Sequence, residues 1–547
     1  MSTTESVIAP VDMSYASHER QAGDPGLVQA PMSNLYELTK ASKVDATTPS
    51  AHSSTLGEQD LISRGIISLA VAEKLFARFM KNQNPLLWGG IIFPYETLAQ
   101  SRRASVLLST AVLTVAALHS PAGGGSDTLQ RCYDCFVSLV TSSSLSRNHN
   151  LDDVRALCLG AFYLPNLSWR LSGQATRVAA EMNIHHSFNK LMNGDERHAE
   201  RVRLWYALFV CDRHFSIAYG RPSAMYDDPA IRGVERFITS PSFIAGDVRI
   251  SAQVALFKIL SEAYMEFGSD QSQPLSEPDL DKLRMFNIEI DRWRLQWQPR
   301  HHDLAPIGSY PSKGVVLYYH FARFQLNSLA LRGVRWPSNG PLWLNRRESA
   351  MNAIAAAVST LVHILGEEDI RRALNGVPLF TYTMVAFCAT FLLKIAAIWA
   401  RGGDTLSQAL GLGFNLAEVV SLTRRSADLL SEVAEEVSEK HIARLIVAGI
   451  RELLQHVNFI PEGGDGEQAN EKNAGRVAAQ DGMKDSGMQG PSGPAFDFAT
   501  EQMSGDGTQG MIYNMDLDSL AGLLEYGSDQ YLEPFPGQGL DPWGPPV

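Results

Sequence analysis

Cysteine is scarce: the chain has five in 547 residues. That excludes a disulfide-built scaffold and fits a reducing compartment. Charge is sparse too, at 19%, and the basic residues form no stripe. Arg102-Arg103, Arg346-Arg347 and Arg424-Arg425 are scattered pairs, so no face advertises phosphate binding, and no Lys/Arg-rich run of the nuclear-import kind occurs. Met1 to about Gln59 lacks the basic-then-apolar order of a secretory signal. A long apolar run free of charge is also missing. The best candidate, Tyr382 to Ala400, carries Lys394 well inside, and a central lysine costs about 2.5–3.5 kcal/mol in a bilayer. The polar flank from Arg401 through Gly-Gly to Asp404 is expected to end it as a buried soluble helix. The run Val106 to Leu118 is too short to span. No solenoid-length repeat is present.

What is present is apolar mass, 45% of the residues, enough for a large core. The net charge of −12 is local. From Glu462 onward there are 15 acids and 3 bases, and the remainder is balanced at 44 of each. Composition divides the chain into a disordered segment (1–58), a helical body (59–460) and a disordered acidic tail (461–547), the last unable to offset its ordering entropy. The body reads as helix after helix. Ile66, Leu69, Ala72, Phe76, Phe79 and Met80 mark one face of the first, with Ser63 as its expected cap. Ser105 to His119 is apolar all round and belongs in the interior. Leu171, Ala175, Val178 and Met182 form a stripe that should end at Asn183, a residue tolerant of the left-handed conformation.

Glu200 to Ala218 carries two apolar faces: Val202, Trp205 (or Tyr206) and Phe209, then Leu204, Leu208, Cys211 and Phe215. It should therefore have neighbours on both sides, and Gly220-Arg221-Pro222 should stop it. Further helices are expected at Ala252 to Phe267, Asp279 to Trp297, Gly314 to Leu331, Arg347 to Leu365, Leu416 to Val437 and Ala443 to Val457. Alternation of the strand type is scarce, so the fold class is all-α: a large multi-helix domain with disordered flanks.

No pattern for catalytic chemistry appears. There is no G-x-S-x-G elbow, Walker loop or H-E-x-x-H; His185-His186 reads as a surface or capping pair. Gly123-Gly-Gly125 lacks the following Lys-Ser/Thr, and Gly411-Leu-Gly413 lacks a third glycine. Cys132-Tyr-Asp-Cys135 has no second pair to complete a zinc site, so all five cysteines read as packing residues. No catalytic, cofactor or metal residues are assigned. Asp212 and Arg213 interrupt the most apolar helix, and a buried charge must be paired. Asp212 is expected to hold Arg221 or loop N–H groups of the Gly220-Arg221-Pro222 turn, a structural arrangement or a ligand-sensing corner.

The tail gives the other positive signal. Over 511–536, Leu517, Leu520, Leu523, Leu524, Tyr526 and Phe535 interleave with Asp516, Asp518, Glu525, Asp529 and Glu533. Acidic–hydrophobic alternation in a disordered segment is the composition of an activation domain, ready to fold into a partner's groove.

Two stretches carry a resemblance: residues 62–120, beginning ISRGIISLAVAEKLFARFMK, and residues 167–225, ending in the helix through Trp205, Asp212 and Arg213 and the stop Gly220-Arg221-Pro222. Their order and spacing resemble the regulatory middle domain of fungal binuclear zinc-cluster transcription factors, over roughly 60–455. The resemblance implies a nuclear, all-helical domain that restrains or senses, between an N-terminal DNA reader and a C-terminal activator. It also implies a coactivator or the transcription machinery as the tail's partner. The family's reader needs six cysteines around two zinc ions, whereas residues 1–131 contain none. The expectation is therefore a chain shortened at its start, or one that reaches DNA through a homo- or heterodimer partner, without autonomous DNA binding. The leading reading is a transcription regulator and not an enzyme. Its rivals are an enzyme with a dispersed site in the helical body and a membrane-associated protein built on Tyr382 to Ala400.

Overall fold

Side chains able to accept from the free N–H groups of a first turn mark where the helices begin. Ser68 caps α1 (Leu69–Asn82), its hydroxyl accepting from the Val71 N–H at 3.3 Å. Thr97 and Gln100 form a reciprocal box on α2 (Leu98–Ala104), and Ser105 caps α3 (Val106–Leu118). α4 (Ser126–Ser143) is followed by α5 (Leu151–Tyr163), which Asn150 and Asp153 box. Next come α6 (Ser168–Glu181), α7 (Ser187–Met192) and α8 (Ala199–Ala218). Two single turns, α9 (Pro229–Arg232) and α10 (Val234–Phe237), lead into α11 (Asp247–Phe267), α12 (Glu277–Trp297) and α13 (Tyr310–Ser328). The series closes with α14 (Leu344–Gly366), α15 (Glu368–Ala373), α16 (Leu379–Leu410), α17 (Leu416–Glu436) and α18 (Ile442–Asn458).

The structure, a computed structural model, describes residues 60–121, 126–146, 148–268, 273–333, 344–410 and 415–458. Among these the regular elements are helical, apart from one isolated bridge between Leu304 and Gly308, so the fold is all-α. Residues 1–58 and 461–547, with Leu517, Leu520, Leu523, Leu524, Tyr526 and Phe535, lie outside the described residues, as do Gly123-Gly-Gly125 and Gly411-Leu-Gly413.

Packing follows the apolar patterns. α3 is buried on every side from Leu107 to Leu118 and lies among α1, α4 and α5. α16 is the second central rod, with α14, α17 and α18 around it and α5 and α8 at its side. Burying one large side chain contributes about 1.5–3 kcal/mol, so α3 and the Leu379–Trp399 part of α16, neither with an exposed residue, anchor the domain. A satellite core of Leu280, Leu283, Ile290, Trp293, Trp297 and Tyr319 joins α11, α12 and α13. Two helices, Leu344–Gly366 and Leu379–Trp399, are long and apolar enough to cross a membrane. In the second, 94% of the most apolar window is covered by the protein's own helices.

Two sequence expectations are corrected. Ser63 does not cap the first helix: its N–H donates to Asp60 Oδ1 at 2.9 Å, and the chain turns at Gly65, with φ +68°, before Ser68 opens α1. Nor does the segment from Arg401 to Asp404 stop α16, which runs on to Leu410. Glycine costs about 1 kcal/mol in a helix but blocks it only by adopting the left-handed conformation, and here it stays helical. Asn183 does adopt that conformation, φ 54° and ψ 32°, and ends α6 as read.

Candidate functional site

The segment singled out by sequence, α8, is buried along both faces: Val202, Trp205, Tyr206 and Phe209 on one, Leu204, Leu208, Cys211 and Phe215 on the other. α6 and α11 flank it. It ends as a Schellman turn: the Arg221 N–H reaches back to the Ser216 carbonyl at 3.0 Å and the Gly220 N–H to Ile217 at 3.4 Å. Gly220 stands at φ +62°, where a side chain would be strained. Pro222 is exposed and cannot continue the helix.

Asp212 and Arg213 form a polar knot inside this apolar helix. Asp212 accepts from the Ala224 N–H at 3.0 Å and the Met225 N–H at 3.1 Å, and pairs with Arg213 Nη1 at 2.8 Å. Arg213 uses its remaining edges: Nε donates to Ser261 Oγ on α11 at 2.6 Å, and Nη2 donates to the Met225 carbonyl at 2.9 Å and faces Asp227 at 3.4 Å. Its guanidinium lies over the Phe209 ring, 4.4 Å from the centroid. Burial pushes the Asp212 carboxyl up, and the two N–H groups and Arg213 offset this only in part. Burial also lowers the pKa of Arg213, against the pull of Asp212 and Asp227.

The expected partner of Asp212 is therefore half right. It does hold loop N–H groups, but those of Ala224 and Met225. Residues 219–221 are consumed in closing the last carbonyls of α8, so the returning chain first faces Asp212 at 224. Arg221 turns away instead, over the rings of Trp169 at 5.4 Å and Tyr219 at 5.3 Å. Trp205 Nε1 donates to Asp228 at 2.8 Å, and Asp228 in turn caps α9 through Ala230 and Ile231. Sequence reading missed Asp227 and Asp228, although an Asp-Asp-Pro run before an apolar turn is a cap signal. The arrangement clamps the 220–228 loop onto α8 and α11. With two N–H donors and a guanidinium on its two oxygens, Asp212 is a held acceptor and not a poised base.

A family described as "Transcriptional activator of proteases prtT middle domain" matches residues 65–455. The chain belongs to this family. Its middle domain is the helical body just described, and the span holds both stretches, 62–120 and 167–225, almost entirely. The transcriptional activator of proteases prtT of Emericella nidulans is 49% identical over 467 residues, 83% of this chain and 69% of that protein. Protein priB of Lentinula edodes is 27% identical over 242 residues, 42% of this chain and 40% of that protein. The activatory protein CHA4 of Saccharomyces cerevisiae is 24% identical over 190 residues, 30% of this chain and 29% of that protein. The chain is a transcription regulator of the fungal activator type; the enzyme reading finds no support among these relatives.

Within this middle domain the other sequence candidates are buried cysteines and a histidine pair in a turn. All five cysteines are free and buried. Burial pushes the Cys132 thiol up to about 12, beside Cys135. The rings of His185 and His186 meet at a tilt, centroids 4.0 Å apart, in the turn after α6, His185 half-buried near Trp205 and His186 exposed.

Proposed function

We propose that this chain activates transcription of protease genes in the nucleus: the helical body (59–460) regulates, and the acidic tail (461–547) recruits a coactivator or the transcription machinery. The observation that carries this reading is the 49% identity to a protein named as a transcriptional activator of proteases. The tail assignment is supported by 15 acids against 3 bases from Glu462 onward, interleaved with Leu517, Leu520, Leu523, Leu524, Tyr526 and Phe535. With five cysteines in all, these 547 residues do not hold a six-cysteine zinc cluster. Contact with DNA is therefore assigned to a homo- or heterodimer partner or to a reader outside these residues. Trp205, Asp212, Arg213, Gly220, Arg221 and Pro222 are proposed as the structural signature that fixes the α8 corner, without a catalytic role. No metal or cofactor is assigned to these residues, and no membrane is proposed as a partner.

The test is a fusion of residues 461–547 to an unrelated DNA-binding domain. Reporter activation is expected, and its loss when Leu520, Leu523 and Leu524 become Ala. A silent wild-type fusion contradicts the tail assignment.

A further inference from the structure

Three arginines are buried among the described residues: Arg155, Arg213 and Arg249. Arg155 meets Asp152 and Glu200, and Arg213 meets Asp212 and Asp227. Arg249, on α11, is 9% exposed, yet among the described residues no carboxylate lies within ion-pair distance of it. Nη1 donates to the Pro85 carbonyl at 3.1 Å and Nη2 to the Leu86 carbonyl at 3.0 Å, and the guanidinium lies 5.2 Å from the Tyr310 ring centroid. Two of its five N–H donors are thus used. The ionisable groups around it are the phenols of Tyr163, Tyr310 and Tyr318 and the imidazole of His301, which burial holds down at about 4. A buried cation without a counter-charge is unfavourable by several kcal/mol, so its retention calls for a partner that is not a side chain.

The surroundings are shaped for one. Arg249, Gln253 and Phe257 repeat every four residues and share a face of α11; Tyr310, Gly314 and Tyr318 do the same on α13, which packs against it. Gly314 stands between the two tyrosines on this face, and a Cβ built there meets no atom within 4 Å. Arg249 keeps 9% of its surface accessible and Tyr318 is partly buried, although both lie deep among the helices. Tyr318 OH stands 3.3 Å from His214 Nε2, and the buried His214 Nδ1 has no hydrogen-bond partner. The His214 ring stacks on Phe380 at 4.0 Å, and Phe257 closes the same aromatic wall, 6.1 Å from Tyr318. The strand of chain that supplies the Pro85 and Leu86 carbonyls continues to Trp88, a non-glycine residue at φ 52°, whose indole N–H donates to Gln253 at 2.8 Å. Such backbone strain costs about 1–3 kcal/mol and persists where surrounding structure enforces it.

We propose that Arg249, Tyr310, Gly314 and Tyr318 line an internal binding site for a small monocarboxylate with an apolar body. One guanidinium balances one negative charge. The Tyr318 hydroxyl is placed as a second donor, and the rings of Phe257 and Phe380 suit an aromatic or branched aliphatic group. Among the described residues no carboxylate forms an ion pair with Arg249 or acts on Tyr318, so the site disfavours the corresponding amino acids. Neutral His214, whose pKa burial holds down at about 3, adds no second positive charge. This deepens the regulatory reading by naming the class of effector the body would sense. The test reads binding on purified protein, so its failure leaves the transcription assignment standing.

The full chain is titrated with benzoate, phenylacetate, 3-phenylpropanoate, 4-methylpentanoate and octanoate, each beside its amide, and with phenylalanine and leucine. At least one carboxylate is expected to raise the Tm by about 3 °C at a hundred-fold excess over its Kd, while its amide and the amino acids do not. Arg249→Met and Gly314→Leu should each abolish the shift, the first by removing the charge and the second by filling the space. Gly314→Leu favours the helix, so it decides the matter even where Arg249→Met does not fold. The proposal is overturned when no carboxylate shifts the Tm, when the amides act equally, or when Gly314→Leu keeps the response.

Discussion

Replacing Asp212 with Ala removes the acceptor that two loop N–H groups and a buried guanidinium share. The Ala224 and Met225 N–H groups then lose a charged acceptor, and Arg213, only 6% exposed, is left with Asp227 at 3.4 Å. Breaking a buried pair by removing one member costs about 3–5 kcal/mol. For a body of roughly 400 residues, an unfolding entropy near 2.1 cal/mol/K per residue amounts to about 0.8 kcal/mol/K. The Asp212→Ala Tm should therefore lie about 4–6 °C below wild type by differential scanning calorimetry. A second variant separates the lost ion pair from lost packing. In Asp212→Leu/Arg213→Met both charges go, no uncompensated cation remains, and part of the loss is expected to return. An Asp212→Ala Tm within about 1 °C of wild type would refute the reasoning, as would a double variant whose loss is the sum of the two singles.

Three further outcomes follow from the interior. Burial holds His119 and His301 down at about 4 and His214 at about 3, below the ordinary value near 6.5, so the unfolded chain takes up these protons first. The stability they confer is complete above about pH 6.5 and lost as pH falls toward 4; at pH 5 each costs about 2 kcal/mol, so the Tm should fall several degrees between pH 7 and 5, and a flat profile contradicts this. Gly376→Ala would set a Cβ 2.5 Å from the Asn82 carbonyl oxygen, an overpacking worth about 1–3 kcal/mol, so its Tm should drop by about 1–4 °C. With its thiol pushed up to about 12, Cys132 should resist iodoacetamide in the native protein and react only after denaturant is added; rapid native labelling would show an accessible thiolate.

Much of the fold was legible because these helices are defined by which faces they bury. α3 and α8 have too many apolar residues for one face, and that excess correctly placed them in the interior. Boundaries were less legible, since competing caps look alike in sequence. Ser63 and Ser68 are equivalent candidates until Gly65 turns the chain. α11 begins at Asp247 and α13 at Tyr310, earlier than Ala252 and Gly314, because first-turn residues need no apolar periodicity. α4 and α5 were not separated as elements, although Leu129, Cys132 and Phe136 keep helical spacing. At the α8 corner the sequence signalled that Asp212 must be paired, but the identity of the partner depends on how many residues the turn consumes. Arg249 gave no signal at all: what distinguishes it is the absence of an acid across the helix interface, which belongs to the tertiary arrangement.

The central claim is that this chain governs transcription. The direct measurement is chromatin occupancy of the tagged full chain, taken alongside the transcripts that change when the chain is removed. Enrichment is expected at the promoters of the responding genes. Uniform occupancy with unchanged transcripts would contradict it.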